Sequence, residues 1–294
     1  MKKIMEEGYR VATVGTFDGV HKGHREVLRT LCQYATAHQM RPMVITFDRH
    51  PLATVDPDRA PGMLQSREAR DEMLRSSGVE VEEVEFTPEV CRLTAREWMK
   101  ILRDRYGVKA LVTGYDNKFG SDGRGMEADQ YIELGKELSI DVVVAPELPG
   151  VCSSAIRKAV ARGEMGSATE MLGRPFSLTG KVEAGRHLGR CLGFPTANVG
   201  IPTGIQMPPT GVYAGKLDGK AAVINIGDNP TVSEGNPVTV EAHVIDYDGN
   251  LYGREVTVEF IRRIREERKF GSLEELTRQI GIDTDQARKI LEKY

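Results

Sequence analysis

Residues 15–24 read GTFDGVHKGH, and the side-chain types gathered there are those that handle phosphate. His21 and His24 are three positions apart, so on the first turn of a helix they face one way. Two imidazoles aimed at one point can donate hydrogen bonds to a phosphate whose charge grows in a transition state. Gly15 and Gly19 permit close backbone approach. A helix N-terminus adds unpaired N–H groups and partial positive charge. Two other readings stay open: an incidental structural pair, or a metal site, for which no third ligand stands nearby and no H-E-x-x-H run exists. Asp18 either organises the turn or caps the helix.

A second region with chemical potential lies beyond residue 172. Gly180-Lys-Val-Glu-Ala-Gly185 has P-loop spacing, but Arg186 and His187 follow where Lys and Ser/Thr are needed. The glycines at 180, 185, 189 and 193 therefore mark a loop that wraps a ligand, or a plain β-connection. Glu241 by itself fits a solvent-facing strand glutamate. His243 fits a ligand contact or a structural histidine, and Arg262–Lys269 is either the rim of an entrance or a solvated basic surface.

The elements that must carry these residues fall into two textures. Up to about residue 172, short apolar runs alternate with helical patterns. Val11–Val14, Met43–Phe47, Val79–Phe86, Ala110–Thr113 and Asp141–Ala145 read as strands. Residues from about His24 to His38, then Ser66–Ser76, and a segment opened by the Thr94-x-x-Glu97 capping box read as helices. This alternation predicts an α/β domain with a parallel sheet. Gly173-Arg-Pro175 reads as a joint. After it come Val212–Leu217, Ala221–Ile226, Val238–Tyr247 and Glu255–Arg262, with Asp248-Gly249 as a hairpin signal. They predict a small antiparallel barrel or sandwich. Ser272-x-x-Glu275 opens a terminal helix, and Asp283–Asp285 can start a last short one. The expected domains are 1–172 and 173–294.

The chain of 294 residues is 40% hydrophobic and 28% charged, which excludes disorder and permits two ordinary domains. A net charge of −3 gives no global pull toward nucleic acid or an anionic membrane. Cys32, Cys91, Cys152 and Cys191 form no C-x-x-C pair and suit a reducing compartment. The opening MKKIMEEGYR lacks the apolar run of a signal peptide, and no stretch approaches the roughly 20 apolar residues of a membrane span. A cytoplasmic enzyme without nucleic-acid or membrane partners is expected; the sequence leaves its oligomeric state open.

Motif by motif, a family resemblance emerges. Phe17-Asp-Gly-Val-His-Lys-Gly-His24 resembles the H-x-G-H signature of nucleotidyltransferases. Its G-x-F-D-G-x-H-x-G-H form resembles the FAD synthetase domain of bacterial bifunctional riboflavin kinase/FAD synthetases. Thr46-Phe-Asp-Arg-His-Pro51, Gly114-Tyr-Asp-Asn-Lys-Phe-Gly120 and Cys152-Ser-Ser-Ala-Ile-Arg157 resemble further family segments in the same order. Cys152 stands where the family usually has serine, Ser154 where it has threonine, and Asp116 where relatives can have asparagine. Leu192-Gly-Phe-Pro-Thr-Ala-Asn198 resembles the core of the riboflavin kinase signature, and Val240–Gly253 the segment carrying that domain's catalytic glutamate.

The resemblance implies a Rossmann-like nucleotidyltransferase domain followed by a small β-barrel kinase domain. Riboflavin would be phosphorylated by ATP to FMN, and FMN would then attack the α-phosphorus of ATP to give FAD and pyrophosphate. His21, His24 and Arg157 would stabilise charge in the second reaction. Gly15, Phe17, Asp18, Ser153 and Ser154 would surround its nucleotide, and Asp116 and Phe119 its flavin. In the first reaction Gly180, Gly185, Thr196 and Asn198 would hold ATP, Thr196 and Asn198 would stand at Mg2+, and Glu241 would be the base. Two alternatives remain: a nucleotidyltransferase of another substrate class, such as a pantetheine-phosphate or glycerol-phosphate type, or a flavin-binding protein with one inactive domain. The Leu192–Asn198 segment and the joint at Gly173 argue against the first.

Overall fold

The computed structural model describes residues 8–115, 118–183, 193–228 and 238–294. The chain folds as two compact units. The first runs up to Pro61 and resumes at Arg67–Cys152, and the second comprises Gly62–Ser66 and Ser153–Tyr294.

The first unit is built on five parallel strands: β1 (Arg10–Val14), β2 (Arg41–Phe47), β3 (Glu80–Val84), β4 (Val108–Thr113) and β5 (Asp141–Val144). Their order is β3-β2-β1-β4-β5, so the chain reverses its direction of growth between β1 and β4. In such sheets ligands bind beyond the carboxyl ends of the strands at this switch point. Helix α1 (Lys22–Ala37) follows β1 and buries Val27, Leu28, Leu31 and Ala35. After β2 come a single turn, α2 (Leu52–Val55), and then α3 (Arg67–Ser76). After β3 come α4 (Pro88–Arg92) and α5 (Ala95–Tyr106), and α6 (Ala128–Leu138) follows β4. The capping box opening α5 forms: Thr94 accepts from the Glu97 N–H while the Glu97 carboxylate accepts from the Thr94 N–H. At the sheet edge, β3 reads EVEEV. Glu80 pairs with Arg10 and Arg41, Glu82 accepts from Tyr106 Oη, and Glu83 pairs with Arg67 and Arg70.

The second unit opens with α7 (Ser153–Ala161) and α8 (Met165–Leu172). Their apolar faces (Ile156, Val160, Met165 and Leu172) are buried in one cluster with residues of the barrel. Each such side chain contributes about 1.5–3 kcal/mol. This burial groups the two helices with the barrel, so the compact unit begins well ahead of Gly173. Gly173 itself is a left-handed helix cap, with φ +72°.

Six antiparallel strands close the barrel in the order β10-β7-β6-β11-β8-β9. They are β6 (Phe176–Glu183), β7 (Ala197–Gly200), β8 (Gly211–Leu217), β9 (Lys220–Asp228), β10 (Val238–Val244) and β11 (Glu255–Arg265). In β6, Phe176, Leu178 and Val182 are buried while Ser177, Thr179 and Lys181 are not, the period-2 pattern of a barrel wall. Helix α9 (Leu273–Leu291) docks on the outer face, where Ala287, Ile290 and Leu291 meet Val212, Ala214 and Val223.

Two expectations need correction. Asp248-Gly249 does not turn a hairpin, because β10 and β11 are not neighbours in the barrel. The tight hairpin turn is Asp218-Gly219 between β8 and β9, where both residues are left-handed at φ +47° and +77°. Asp283 does not start a helix; it lies buried inside α9 and takes the Arg265 guanidinium.

Candidate functional sites

In the first unit, β1 runs into Gly15, whose N–H donates to the Ile45 carbonyl at 3.0 Å and extends the ladder. The next residues turn sharply: Val20 N–H returns to the Phe17 carbonyl at 3.0 Å. Phe17, Gly19 and Val20 are all left-handed, at φ +49°, +85° and +36°. A β-branched residue in this region costs about 1–3 kcal/mol, so the surroundings must hold it. They do so by burial: Phe17, Asp18 and Val20 are 3%, 0% and 2% exposed.

The cap of α1 is His21, not Asp18. Its Nδ1 accepts from the His24 N–H at 3.2 Å, so the neutral ring carries its proton on Nε2. His24 sits in the first turn and His21 one residue outside, so their convergence comes from ring stacking, with centroids 3.6 Å apart and planes at 18°. The Phe17 ring lies 4.9 Å from that of His24. A Cβ on Gly23 would stand 3.1 Å from the His21 ring, so glycine there lets the ring fold against the helix start. Burial first, and then the repulsion that a second imidazolium beside His21 would meet, hold His24 well below the ordinary imidazole range, so it is neutral near pH 7. His24 Nδ1 is fully shielded and has no hydrogen-bond partner. A buried polar atom without a partner, at a helix N-terminus, has the character of a ligand-facing group.

The strand beside it ends in Thr46–Pro51. Thr46 Oγ1 donates to the Thr16 carbonyl, tying this end to the histidine turn. The Asp48 carboxylate accepts from Phe86 N–H at 2.8 Å, and His50 Nδ1 accepts from Leu52 N–H at 3.1 Å. Arg70, 1% exposed, donates to the Phe47 carbonyl at 2.6 Å and to Asp71 and Glu83 at 2.9 Å. Sequence reasoning missed this arginine, because an arginine on a polar helix gives no sign of burial.

Phe119 sits in the core of the first unit. It is buried, its ring lies 4.8 Å from that of Tyr131, and Tyr131 Oη bonds both its N–H and its carbonyl. It packs in the same core as Trp98. Asp116 lies outside the described residues.

In the second unit, Ser153 and Ser154 open α7, and Arg157 Nε donates to the Gly62 carbonyl at 2.9 Å. Gly180 belongs to β6 and not to a ligand loop. A Cβ there would meet the Gly200 carbonyl oxygen at 2.2 Å, so close strand packing explains the glycine. Gly185, Cys191 and Leu192 lie outside the described residues.

Barrel register builds the other site. Glu241 on β10 pairs with Asn198 on β7 and with Asn225 on β9, giving a polar row across three strands. Val240 and Ala242 point into the core, so Glu241 and His243 share the opposite, outer face. Glu241, Asn225, Thr196 and Phe194 line a cavity of about 280 Å³, with Phe270 and, from α9, Leu276 and Ile280. A second cavity of about 340 Å³ is lined by Pro195–Asn198 and by the Tyr247–Tyr252 loop. Thr196 therefore borders both cavities. Arg265 and Arg268, from the basic run, line the first cavity and flank the Phe270 ring at 5.7 and 4.8 Å. Arg265 also holds α9 in place through Asp283.

Among the described residues no cluster of three or more His, Cys, Asp or Glu could hold a metal. Thr196 and Asn198 supply neutral oxygens two residues apart. Such a donor set suits Mg2+, which takes few protein ligands and completes its shell with phosphate and water. No helix among the described residues is long and apolar enough to cross a membrane.

Comparison with known proteins agrees with both halves. A riboflavin kinase family model matches residues 172–291, and an FAD synthetase model matches residues 3–156. A bifunctional riboflavin kinase/FMN adenylyltransferase of Pseudomonas fluorescens is 36% identical over 292 residues, covering 95% of this chain and 92% of the relative. Enzymes of the same description from Escherichia coli K12 and Bacillus subtilis are 35% and 33% identical, with 95% and 96% of this chain and 92% of each relative covered. A Streptococcus pneumoniae structure, described as a macrolide-efflux protein, superposes with a TM-score of 0.86 at 29% identity, covering 96% of this chain and 94% of the other.

Proposed function

We propose residue roles from the premise that this chain belongs to the family of bifunctional riboflavin kinase/FMN adenylyltransferases. The protein phosphorylates riboflavin with ATP to give FMN, and transfers the adenylyl group of a second ATP to FMN, releasing pyrophosphate. We assign FMN adenylylation to residues 1–172 and riboflavin phosphorylation to residues 173–294.

For the kinase, the observation that carries the assignment is Thr196, which borders both cavities. A phosphoryl group must pass between nucleotide and flavin, so a residue common to both walls belongs at the point of transfer. The cavity beside Tyr247–Tyr252 takes ATP, and the cavity under α9 takes the isoalloxazine between Phe270, Leu276 and Ile280. Thr196 and Asn198 face the phosphates and Mg2+, which when bound neutralises their developing charge. Glu241 accepts the proton from the riboflavin 5′-hydroxyl as it attacks the γ-phosphorus. Glu241→Gln tests this: riboflavin phosphorylation is lost while FMN supplied directly is still converted to FAD. Normal kinase turnover in that variant removes Glu241 as the base.

For adenylylation, His21 and His24 stabilise charge on the α-phosphate as neutral hydrogen-bond donors, supported by the unpartnered His24 Nδ1. Gly15, Phe17 and Asp18 shape the turn that brings them to the nucleotide. Ser153, Ser154 and Arg157 keep the phosphate-binding role their motif implies. The free thiols of Cys32, Cys91 and Cys152 favour a cytoplasmic location.

A further inference from the structure

His243 has no assigned part in either reaction, yet its contacts lead to the wall common to both kinase cavities. It stands on β10 two residues from Glu241, on the same outer face, and lines the cavity under α9. Its Nδ1 lies 2.9 Å from the Pro195 carbonyl oxygen. A carbonyl only accepts, so Nδ1 must carry the proton and donate. The Phe194 ring meets the imidazole edge-on, with centroids 5.3 Å apart at 79°. Two consecutive residues ahead of Thr196 are thus held by one side chain.

The bonded carbonyl is half of the Pro195–Thr196 peptide. That peptide is trans, so its C=O and N–H point in opposite directions. Fixing the carbonyl toward His243 therefore aims Thr196 N–H the other way and fixes the position of Thr196 Cα, from which its side chain starts. No backbone partner on β10 does this job at Pro195, since the pairing of β10 with β7 begins at Ala197.

We propose that His243 is a positioning residue for phosphoryl transfer: by donating from Nδ1 to the Pro195 carbonyl it sets the placement of Thr196 at the wall between the two cavities. The inference rests on the kinase reading of Thr196 given above. Its effect belongs to the transfer step, because a misplaced Thr196 costs alignment between substrates that are each still bound.

The test is steady-state riboflavin phosphorylation by the full-length enzyme with His243→Ala, His243→Asn and Thr196→Ala. Asparagine can place its amide N–H near the position of Nδ1. The expected result for His243→Ala is a kcat reduced by about tenfold or more, the scale of a misaligned reacting pair, with KM for ATP and riboflavin within about threefold. His243→Asn recovers most of the loss, FMN adenylylation from added FMN is unchanged in both, and the retained KM values together with an unchanged thermal unfolding midpoint of the barrel show that it is folded. A merely structural histidine would instead give no rescue by asparagine, or KM rises at constant kcat; either overturns the proposal. If Thr196→Ala slows the kinase but His243→Ala does not, the proposal fails and the kinase reading stands. If Thr196→Ala is without effect, both fail.

Discussion

Asp283 sits at the point where the terminal helix is fastened to the barrel, and its removal should loosen one wall of the cavity under α9. The carboxylate is 2% exposed. It accepts from Arg265 Nε at 3.1 Å, from the Arg265 terminal nitrogen at 2.8 Å, and from Gln279 Nε2 at 2.7 Å. Deleting one partner of a buried pair typically costs about 3–5 kcal/mol, because the other charge is left without compensation. Arg265 keeps 20% of its side chain exposed and its contact with Phe270, so rehydration offsets part of that. We therefore expect about 2–3 kcal/mol for Asp283→Ala, or roughly 30- to 150-fold weaker hydrogen-exchange protection of α9 amides. Leu276 and Ile280 lie on that helix and line the cavity, so KM for riboflavin should rise while KM for ATP changes little. Arg288, bonded twice to Asp246 at 2.6 and 2.7 Å, limits the loosening to the N-terminal part of the helix. Exchange measured by mass spectrometry, together with kinase kinetics, checks this. Unchanged α9 protection with an unchanged riboflavin KM would refute the reasoning.

The paired substitution His21→Ala with His24→Ala should reduce FMN adenylylation by about 10²-fold or more, the usual scale for lost transition-state donors, and leave riboflavin phosphorylation intact. The missing cap on α1 should add a stability loss of about 1 kcal/mol; FAD formation at the normal rate would end the phosphate-site assignment. His24 also predicts acid sensitivity. Its folded pKa is depressed, so the unfolded chain binds the proton first and stability falls as pH drops below about 6.5. Urea unfolding should show wild type losing up to about 1.4 kcal/mol per pH unit more than His24→Gln in that range; parallel pH profiles would contradict a neutral His24.

Much of the α/β half was legible because parallel buried strands are continuous apolar runs, as at Met43–Phe47, and because Thr94 and Glu97 announce their helix. The barrel was harder. Gly180 looks like loop punctuation, but it is a glycine because a Cβ there would run into the Gly200 backbone of the neighbouring strand. Asp-Gly occurs at both 218–219 and 248–249, and only pairing across the sheet tells which one turns a hairpin. Asp283 has the composition of a helix start, and its role appears only with Arg265, which lies 18 positions earlier. In the candidate sites, the sequence pointed to His21 and His24 by their spacing and to Thr196 and Glu241 only through the family resemblance. It carried no information about ring stacking, a shared cavity wall or a tautomer, since these depend on neighbours brought in by distant segments. Residues 62–66 group with the second unit for the same reason. Met63 pairs with Ile205 through bonds of 2.8 Å, a contact of two irregular segments that no periodicity marks.

The glutamates of β3 have a consequence for life in a crowded cell. An open sheet ends in a row of unpaired backbone groups that another chain can extend, and that is a common route to aggregation. Three of the five residues on this edge are glutamates, and each is held by a partner from its own unit: Arg10 and Arg41, Tyr106, or Arg67 and Arg70. A foreign strand would have to lie along carboxylates that cannot turn away without abandoning those partners. The same charges that anchor α3 and β1 to the edge thus discourage the sheet from growing, while the barrel solves that problem by having no edge at all.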